Sequence, residues 1–120
     1  MKKTILIMDD EEDIRTTFQQ LLKKEGYTTM LAGSLEEFIQ AIGKKPNLIL
    51  LDIMIPGTTT DELLRLLNGY AEVKVIIFSV LQLSGQDKKK ISAYPQVVGF
   101  LQKPVEKEAF LKTIRTALSS

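Results

Sequence analysis

Two adjacent acids, a lone acid, a hydroxyl and an amine each close an apolar run in this chain: Asp9-Asp10 after TILIM, Asp52 after NLILL, Ser79 after VKVIIF, and Lys103-Pro104 after VVGFLQ. A carboxylate between Leu51 and Ile53 loses hydration unless charges or donors reach it, so partners are expected at the ends of the other runs. If Asp9, Asp10 and Asp52 meet within roughly 5 Å at an effective dielectric of about 20, each pair repels by about 3 kcal/mol. Such a cluster needs a cation. With no histidine and no cysteine in the chain, the available ligands are carboxylate oxygens. These select a hard ion, and an open site with few protein ligands suits Mg²⁺ better than a dedicated Ca²⁺ cage. Lys103, on its long stem, can offset the remaining charge. Metal and lysine together make a pocket able to hold a phosphoryl group on Asp52. Carboxylates are nucleophiles toward phosphorus, and these transfers depend mainly on positioning and charge neutralisation. The Ser79 hydroxyl can donate a hydrogen bond to a phosphoryl oxygen.

Each feature also has an ordinary structural account. Asp9-Asp10 ahead of a helix is a common N-terminal arrangement, and Asp52 before a turn can cap it. Ser79 alone reads as a turn residue, Lys103-Pro104 as a solvated strand end, and Phe100 as core. The Lys88-Lys89-Lys90 run reads as a solvated face with no nucleic-acid role. Independent capping, however, does not require acids after the first and third strands, a hydroxyl after the fourth and a lysine after the fifth.

The elements that carry these residues follow from apolar spacing. Thr4–Met8 reads as a buried strand, followed by a helix with its stripe at Ile14, Phe18, Leu21 and Leu22 and its stop at Gly26. Tyr27–Ala32 is a second strand. Ser34-Leu-Glu-Glu37 is a capping-box pattern opening a helix whose stripe is Leu35, Phe38, Ile39 and Ile42, ended by Gly43 and Pro46. NLILLDIMIP, Asn47–Pro56, reads as a fully buried strand with Asp52 at its carboxyl end. A helix from about Asp61 carries Leu63, Leu64, Leu66 and Leu67; Val73–Phe78 and Gln96–Leu101 are the fourth and fifth strands. A short polar helix lies within Leu83–Ala93, and a last one over about Val105–Leu118 buries Phe110, Ile114, Ala117 and Leu118. Five strands alternating with five helices, the strands continuously apolar, call for an α/β fold with a parallel sheet covered on both faces. Ligands of such sheets sit beyond the carboxyl ends of the strands, where every residue named above falls.

Size and composition set the bounds. A chain of 120 residues is one domain with room for a real core. Its 44% hydrophobic and 26% charged content is ordinary for a globular protein, and a formal net charge of +1 gives no global field for nucleic acid or a membrane. Without histidine there is no imidazole base and no phosphohistidine carrier role. The apolar stretch at the N-terminus is too short for a signal-peptide core, and the expectation is a soluble cytoplasmic protein.

The segments ILIMDDEEDIR, LILLDIMIPG, VIIFS and GFLQKP together resemble the receiver domain of two-component response regulators, chemotaxis regulators included, over essentially the whole chain. The resemblance implies a single receiver domain across residues 1–120. Its fold would be a flavodoxin-like (βα)5 three-layer sandwich with a five-stranded parallel sheet in the order 2-1-3-4-5. It implies Asp52 as phosphoacceptor, Mg²⁺ held by Asp10, Asp52 and the Met54 backbone carbonyl with Asp9 acting through water, and Lys103 paired with the phosphoryl group. Ser79 would be the switch hydroxyl and Phe100 the aromatic whose rotamer reports the state. The donor would be a phosphohistidine on a sensor histidine kinase or a histidine phosphotransfer protein. The output would reach a downstream protein target or a lost output domain through the fourth helix, fifth strand and fifth helix. Such a chain is a phosphoacceptor regulator, limited to self-phosphotransfer and autodephosphorylation, rather than a turnover enzyme.

The chain departs from that pattern at three places. Thr59-Thr60 stand where an Asp-Gly pair is usual, Val80 where a small residue follows the switch hydroxyl, and Ala93-Tyr94-Pro95 where Ala-Gly-Ala leads into the fifth strand. These favour an alternative reading, a degenerate receiver that binds its partner independently of phosphorylation. A phosphatase resembling the haloacid dehalogenases also uses an aspartyl phosphate, a hydroxyl and a lysine. Its pattern places a second acid two residues after the nucleophile, where this chain has Met54.

Overall fold

The structure, a computed structural model, describes residues 3–53, 55–80 and 83–119. In chain order the elements are β1 (Thr4–Met8), α1 (Glu12–Lys24), β2 (Thr28–Ala32), α2 (Leu35–Ile42), β3 (Leu48–Asp52) and α3 (Thr60–Arg65), which tightens into a 3-10 turn (Leu66–Gly69). They continue with β4 (Lys74–Ser79), α4 (Gly85–Ser92), β5 (Val97–Gln102) and α5 (Lys107–Ser119). The strands form one parallel sheet in the order β2-β1-β3-β4-β5. The strand order therefore reverses its direction at β1, and the crevice between the carboxyl ends of β1 and β3 is the ligand-binding position of such a sheet.

β3 explains why the sheet closes around this strand. Leu48, Ile49, Leu50 and Leu51 are all fully buried, each contributing about 1.5–3 kcal/mol of burial, and they alternate between two helical layers. Ile49 and Leu51 join Leu6, Met8, Val75 and Ile77 beneath Phe38, Ala41 and Ile42 of α2, Leu63 and Leu64 of α3, and Ile91 of α4. Leu48 and Leu50 join Ile5, Ile7, Ile76 and Phe78 beneath Phe18 and Leu22 of α1 and Phe110, Leu111, Ile114 and Ala117 of α5. Three layers follow from that alternation.

Local chemistry ends the helices where the sequence signals it. At the end of α1 the Gly26 amide donates to the Lys23 carbonyl and the Tyr27 amide to the Leu22 carbonyl, with Gly26 at φ 92°. This is the paired 5→2 and 6→1 closure that favours glycine. Ser34 accepts from the Glu37 amide, while the Glu37 carboxylate accepts from the Gly33 amide, one residue earlier than a capping box would place it.

Several expectations need correction. Ile39 and Leu66, expected in the core, are 47% and 38% exposed, whereas Ala41 and Leu111 are buried. Ile39 sits one residue, about 100°, round the helix from Phe38, and Leu66 turns outward where α3 tightens to 3-10 geometry. Leu118 is only half-buried. α2 does end at Gly43 as expected, which stays right-handed, and the left-handed residue that follows is Lys45 (φ 55°). β3 is shorter than the expected Asn47–Pro56, since its pairing with β4 ends at Asp52; β2 starts one residue late at Thr28, and β4 and β5 are each displaced by one residue because pairing continues to Ser79 and Gln102.

The β4–β5 pairing carries one irregularity. Val75 pairs with Val97 but Ile76 pairs with Gly99, leaving Val98 as an extra residue on the edge strand, 46% exposed. Beyond it Ile77 pairs with Phe100 and Phe78 with Leu101. No helix among the described residues is long and apolar enough to cross a membrane.

Candidate functional site

Strand alternation decides which side chains meet. Asp9 continues the Ile5, Ile7 phase of β1, Asp52 the Leu48, Leu50 phase of β3, and Lys103 the Leu101 phase of β5. All three therefore leave the sheet toward α1 and α5. One carboxylate oxygen from each of Asp9, Asp10 and Asp52 lies within 4.8 Å of the others. The Lys103 ammonium donates to Asp9 Oδ2 at 2.7 Å and to Asp52 Oδ2 at 3.4 Å, with 9% of its side chain exposed. Three carboxylates from two neighbouring strands far apart in sequence, and an amine from a third strand, thus occupy one end of the sheet.

The two adjacent acids differ sharply. Asp9 is fully buried and held at four points. Its amide donates to the Ala32 carbonyl, its carbonyl accepts from Arg15 Nη1 at 2.6 Å, Oδ1 accepts from the Glu11 amide at 2.9 Å, and Oδ2 accepts from Lys103. Asp10 is exposed to solvent. Asp52 is 4% exposed and Ser79, the last residue of β4, 3%. Among the described residues no buried side-chain nitrogen or oxygen lacks a hydrogen-bond partner, as burial of such groups requires.

Ser79 reaches the site through its backbone as well: its carbonyl accepts from the Lys103 amide at 2.7 Å. Phe100 stands apart from the carboxylates. It pairs with Ile77, lies on the α2–α3–α4 side of the sheet, half-buried against that core, and has Lys88 Nζ 5.9 Å from its ring centroid. Met54 lies outside the described residues. Thr59 caps α3, accepting from the Glu62 amide at 3.1 Å, and Val80 is 54% exposed at the end of β4.

The donor set fits a hard divalent cation. The contributing atoms are all oxygens, they lie within 4.8 Å of one another, and one of the three carboxylates faces water. That spread is what oxygen ligands at about 2.1–2.5 Å from one ion span. Lys103 balances only one of the three negative charges, so the cluster retains a deficit that a divalent ion would neutralise.

Arg15 and Phe78 were not singled out by the sequence. The Arg15 guanidinium packs so closely on Gly33 that a Cβ there would fall 2.5 Å from Nη1. Phe78 lies beside Asp52 in register and has Lys103 Nζ 4.3 Å from its ring centroid. The signal for Phe78 was its strand phase, shared with Asp52 and Lys103; an apolar residue in an apolar run conceals any other role.

The chain belongs to the response regulator receiver domain family, which residues 5–115 match. It is 30% identical over 117 residues to Protein PilH of Pseudomonas aeruginosa, covering 96% of this chain and 97% of that protein. Over 90 residues it is 36% identical to the alkaline phosphatase synthesis transcriptional regulatory protein PhoP of Bacillus subtilis, covering 74% of this chain. That match spans only 36% of PhoP's length. Among solved structures, the CheY-like response regulator receiver domain protein of Methanospirillum hungatei superimposes with a TM-score of 0.87 at 27% identity, covering 99% of this chain and 95% of that one.

Proposed function

We propose that this chain is a phosphorylation-dependent signalling module of a two-component phosphorelay, with Asp52 as phosphoacceptor. The observation that carries the reading is the buried Lys103 ammonium bridging Asp9 and Asp52 beside exposed Asp10. An Asp52 carboxylate oxygen bonds to phosphorus as the P–N bond of a phosphohistidine breaks, and the leaving imidazole nitrogen takes a proton from solvent. Lys103 accompanies the transferred phosphoryl group, and the Ser79 hydroxyl donates to one of its oxygens. Asp10, Asp52 and the Met54 carbonyl would hold Mg²⁺ directly, with Asp9 acting through water. Bound there, the ion supplies positive charge against the phosphoryl oxygens. The four polar contacts of Asp9 leave Asp10 the freer acid for an ion, in keeping with that division.

A sensor histidine kinase or a histidine phosphotransfer protein supplies the phosphoryl group in the cytoplasm. Ser79, its following loop and Phe100 then shift between two arrangements, changing how the α4–β5–α5 surface binds a downstream protein target or a lost output domain. The chain turns over no other substrate; it transfers a phosphoryl group to itself and loses it by autodephosphorylation. Incubation with Mg²⁺ and acetyl phosphate tests the assignment: wild type is labelled on Asp52, and equal labelling of Asp52→Asn would end it. The competing reading, a partner-binding module indifferent to phosphorylation, draws on Thr59-Thr60 and exposed Val80. It predicts the same partner affinity for wild type and Asp52→Asn, with and without donor.

A further inference from the structure

A lysine ammonium has three N–H donors, and the described contacts of Lys103 account for each in turn. One goes to Asp9 Oδ2 at 2.7 Å, one to Asp52 Oδ2 at 3.4 Å, and the ring of Phe78 presents its face to the same nitrogen at 4.3 Å from the centroid. The face of an aromatic ring carries negative charge and attracts an ammonium most strongly where water is excluded. That condition holds: Phe78 is 1% exposed and the Lys103 side chain 9%. The ring is itself fixed. Phe18 lies 5.1 Å from it at 60°, and Phe110 stacks on Phe18 at 4.6 Å. The backbone repeats the attachment one residue on, where the Ser79 carbonyl accepts from the Lys103 amide at 2.7 Å.

We propose that Phe78 is a positioning residue for the phosphoacceptor site, its ring holding the Lys103 ammonium in place so that only the long donor to Asp52 is exchanged for a phosphoryl oxygen. The inference rests on the reading of Asp52 as phosphoacceptor. Asp9 and the ring keep their hold throughout, and the amine is ordered before the phosphoryl group arrives. Without the ring, Asp9 alone tethers the amine and the desolvated cation–π contact is lost, which weakens capture of a phosphoryl-like ligand by roughly three- to tenfold.

Two measurements test this. The first is the affinity for fluoroberyllate, an acyl-phosphate mimic, in Mg²⁺, for wild type, Phe78→Leu, and protein carrying mono-, tri- or pentafluorophenylalanine at position 78 alone. The fluorinated rings keep the shape while draining the face of charge. Affinity is expected to fall stepwise with fluorination at nearly constant melting temperature. Equal affinities across the series, or losses that follow melting temperature and not fluorine number, would overturn the proposal. The second uses metal-free protein. The Lys103 methylene protons next to the amine should resonate upfield of those of the other lysines and return to the ordinary position in Phe78→Leu; ordinary shifts in wild type would remove the contact and the proposal with it. Wild type that takes up no fluoroberyllate, yet shows the upfield shift, would instead refute the phosphoacceptor reading while leaving the ring contact in place.

Discussion

Asp9 and Asp10 are neighbours of the same type, yet one is walled in and the other faces water. The sequence showed both as acids after a strand; strand phase separates them, because Asp9 continues the buried phase of Ile5 and Ile7. The hydrogen bond from Arg15 to the Asp9 carbonyl was beyond reach, since it depends on the first turn of α1 folding back over the residues that precede it, whereas the Glu11 amide reaches Asp9 Oδ1 through a local Asx-type turn. The charges at this scale lead to a stability prediction. Replacing Asp52 removes two repulsions among the acids and one attraction to Lys103 at 3.4 Å. The repulsions outweigh it, by on the order of 1 kcal/mol once solvent screening of exposed Asp10 is allowed for. Asp52→Asn should therefore melt at a higher temperature than wild type in chelator and gain less in Mg²⁺; equal gains in both buffers would contradict the clustering.

Elements whose signals are local were legible: the Gly26 stop of α1, the Ser34 cap of α2 and the alternation of helix with strand all follow from short sequence patterns. Ser34→Ala removes the acceptor for the Glu37 amide and should cost about 1 kcal/mol in urea unfolding, whereas Ser34→Asp should cost little. Where several packings compete, the patterns gave less. The stripe of α2 admitted Ile39 because counting apolar residues does not say which edge of the stripe reaches the sheet. Nor did the unusual Ala93-Tyr94-Pro95 reveal its tie. The Tyr94 hydroxyl donates to the Asp61 carboxylate across the gap between α4 and α3, and Asp61 also pairs with Arg65 at 2.8 Å. The bond to Asp61, followed by desolvation, holds the Tyr94 phenol above the ordinary tyrosine range, against the opposing effect of Arg65. The fold thus favours the neutral phenol. Its contribution is fully present below about pH 10 and is lost as pH rises through the folded value. In a Tyr27→Phe/Tyr70→Phe background, tyrosinate absorbance should show Tyr94 titrating later than a free phenol, and Asp61→Asn should bring that titration earlier.

At the scale of the molecule, the gathering of residues from separate strands was legible because the carboxyl ends of a parallel sheet lie on one edge, whereas the order of the strands followed only from the resemblance to the receiver family. Occupancy of that edge should be visible in global stability. Mg²⁺ at ten times its Kd would add about 1.4 kcal/mol to unfolding free energy. Scanning calorimetry should find the melting temperature raised by Mg²⁺ in wild type and the rise mostly lost in Asp10→Asn; identical increments would mean that the ion binds elsewhere. One feature of the edge strand bears on the whole design. In an uninterrupted ladder, Phe100 would face the way Phe78 does, and residue 103 would point away from the carboxylates. Val98, by occupying a place with no opposite number, shifts the odd-even count of everything after it. That single supernumerary residue sends the amine to the acids and the aromatic to the far side: taking Val98 into the ladder opposite Ile76 would exchange their destinations, whereas deleting it would leave both where they are.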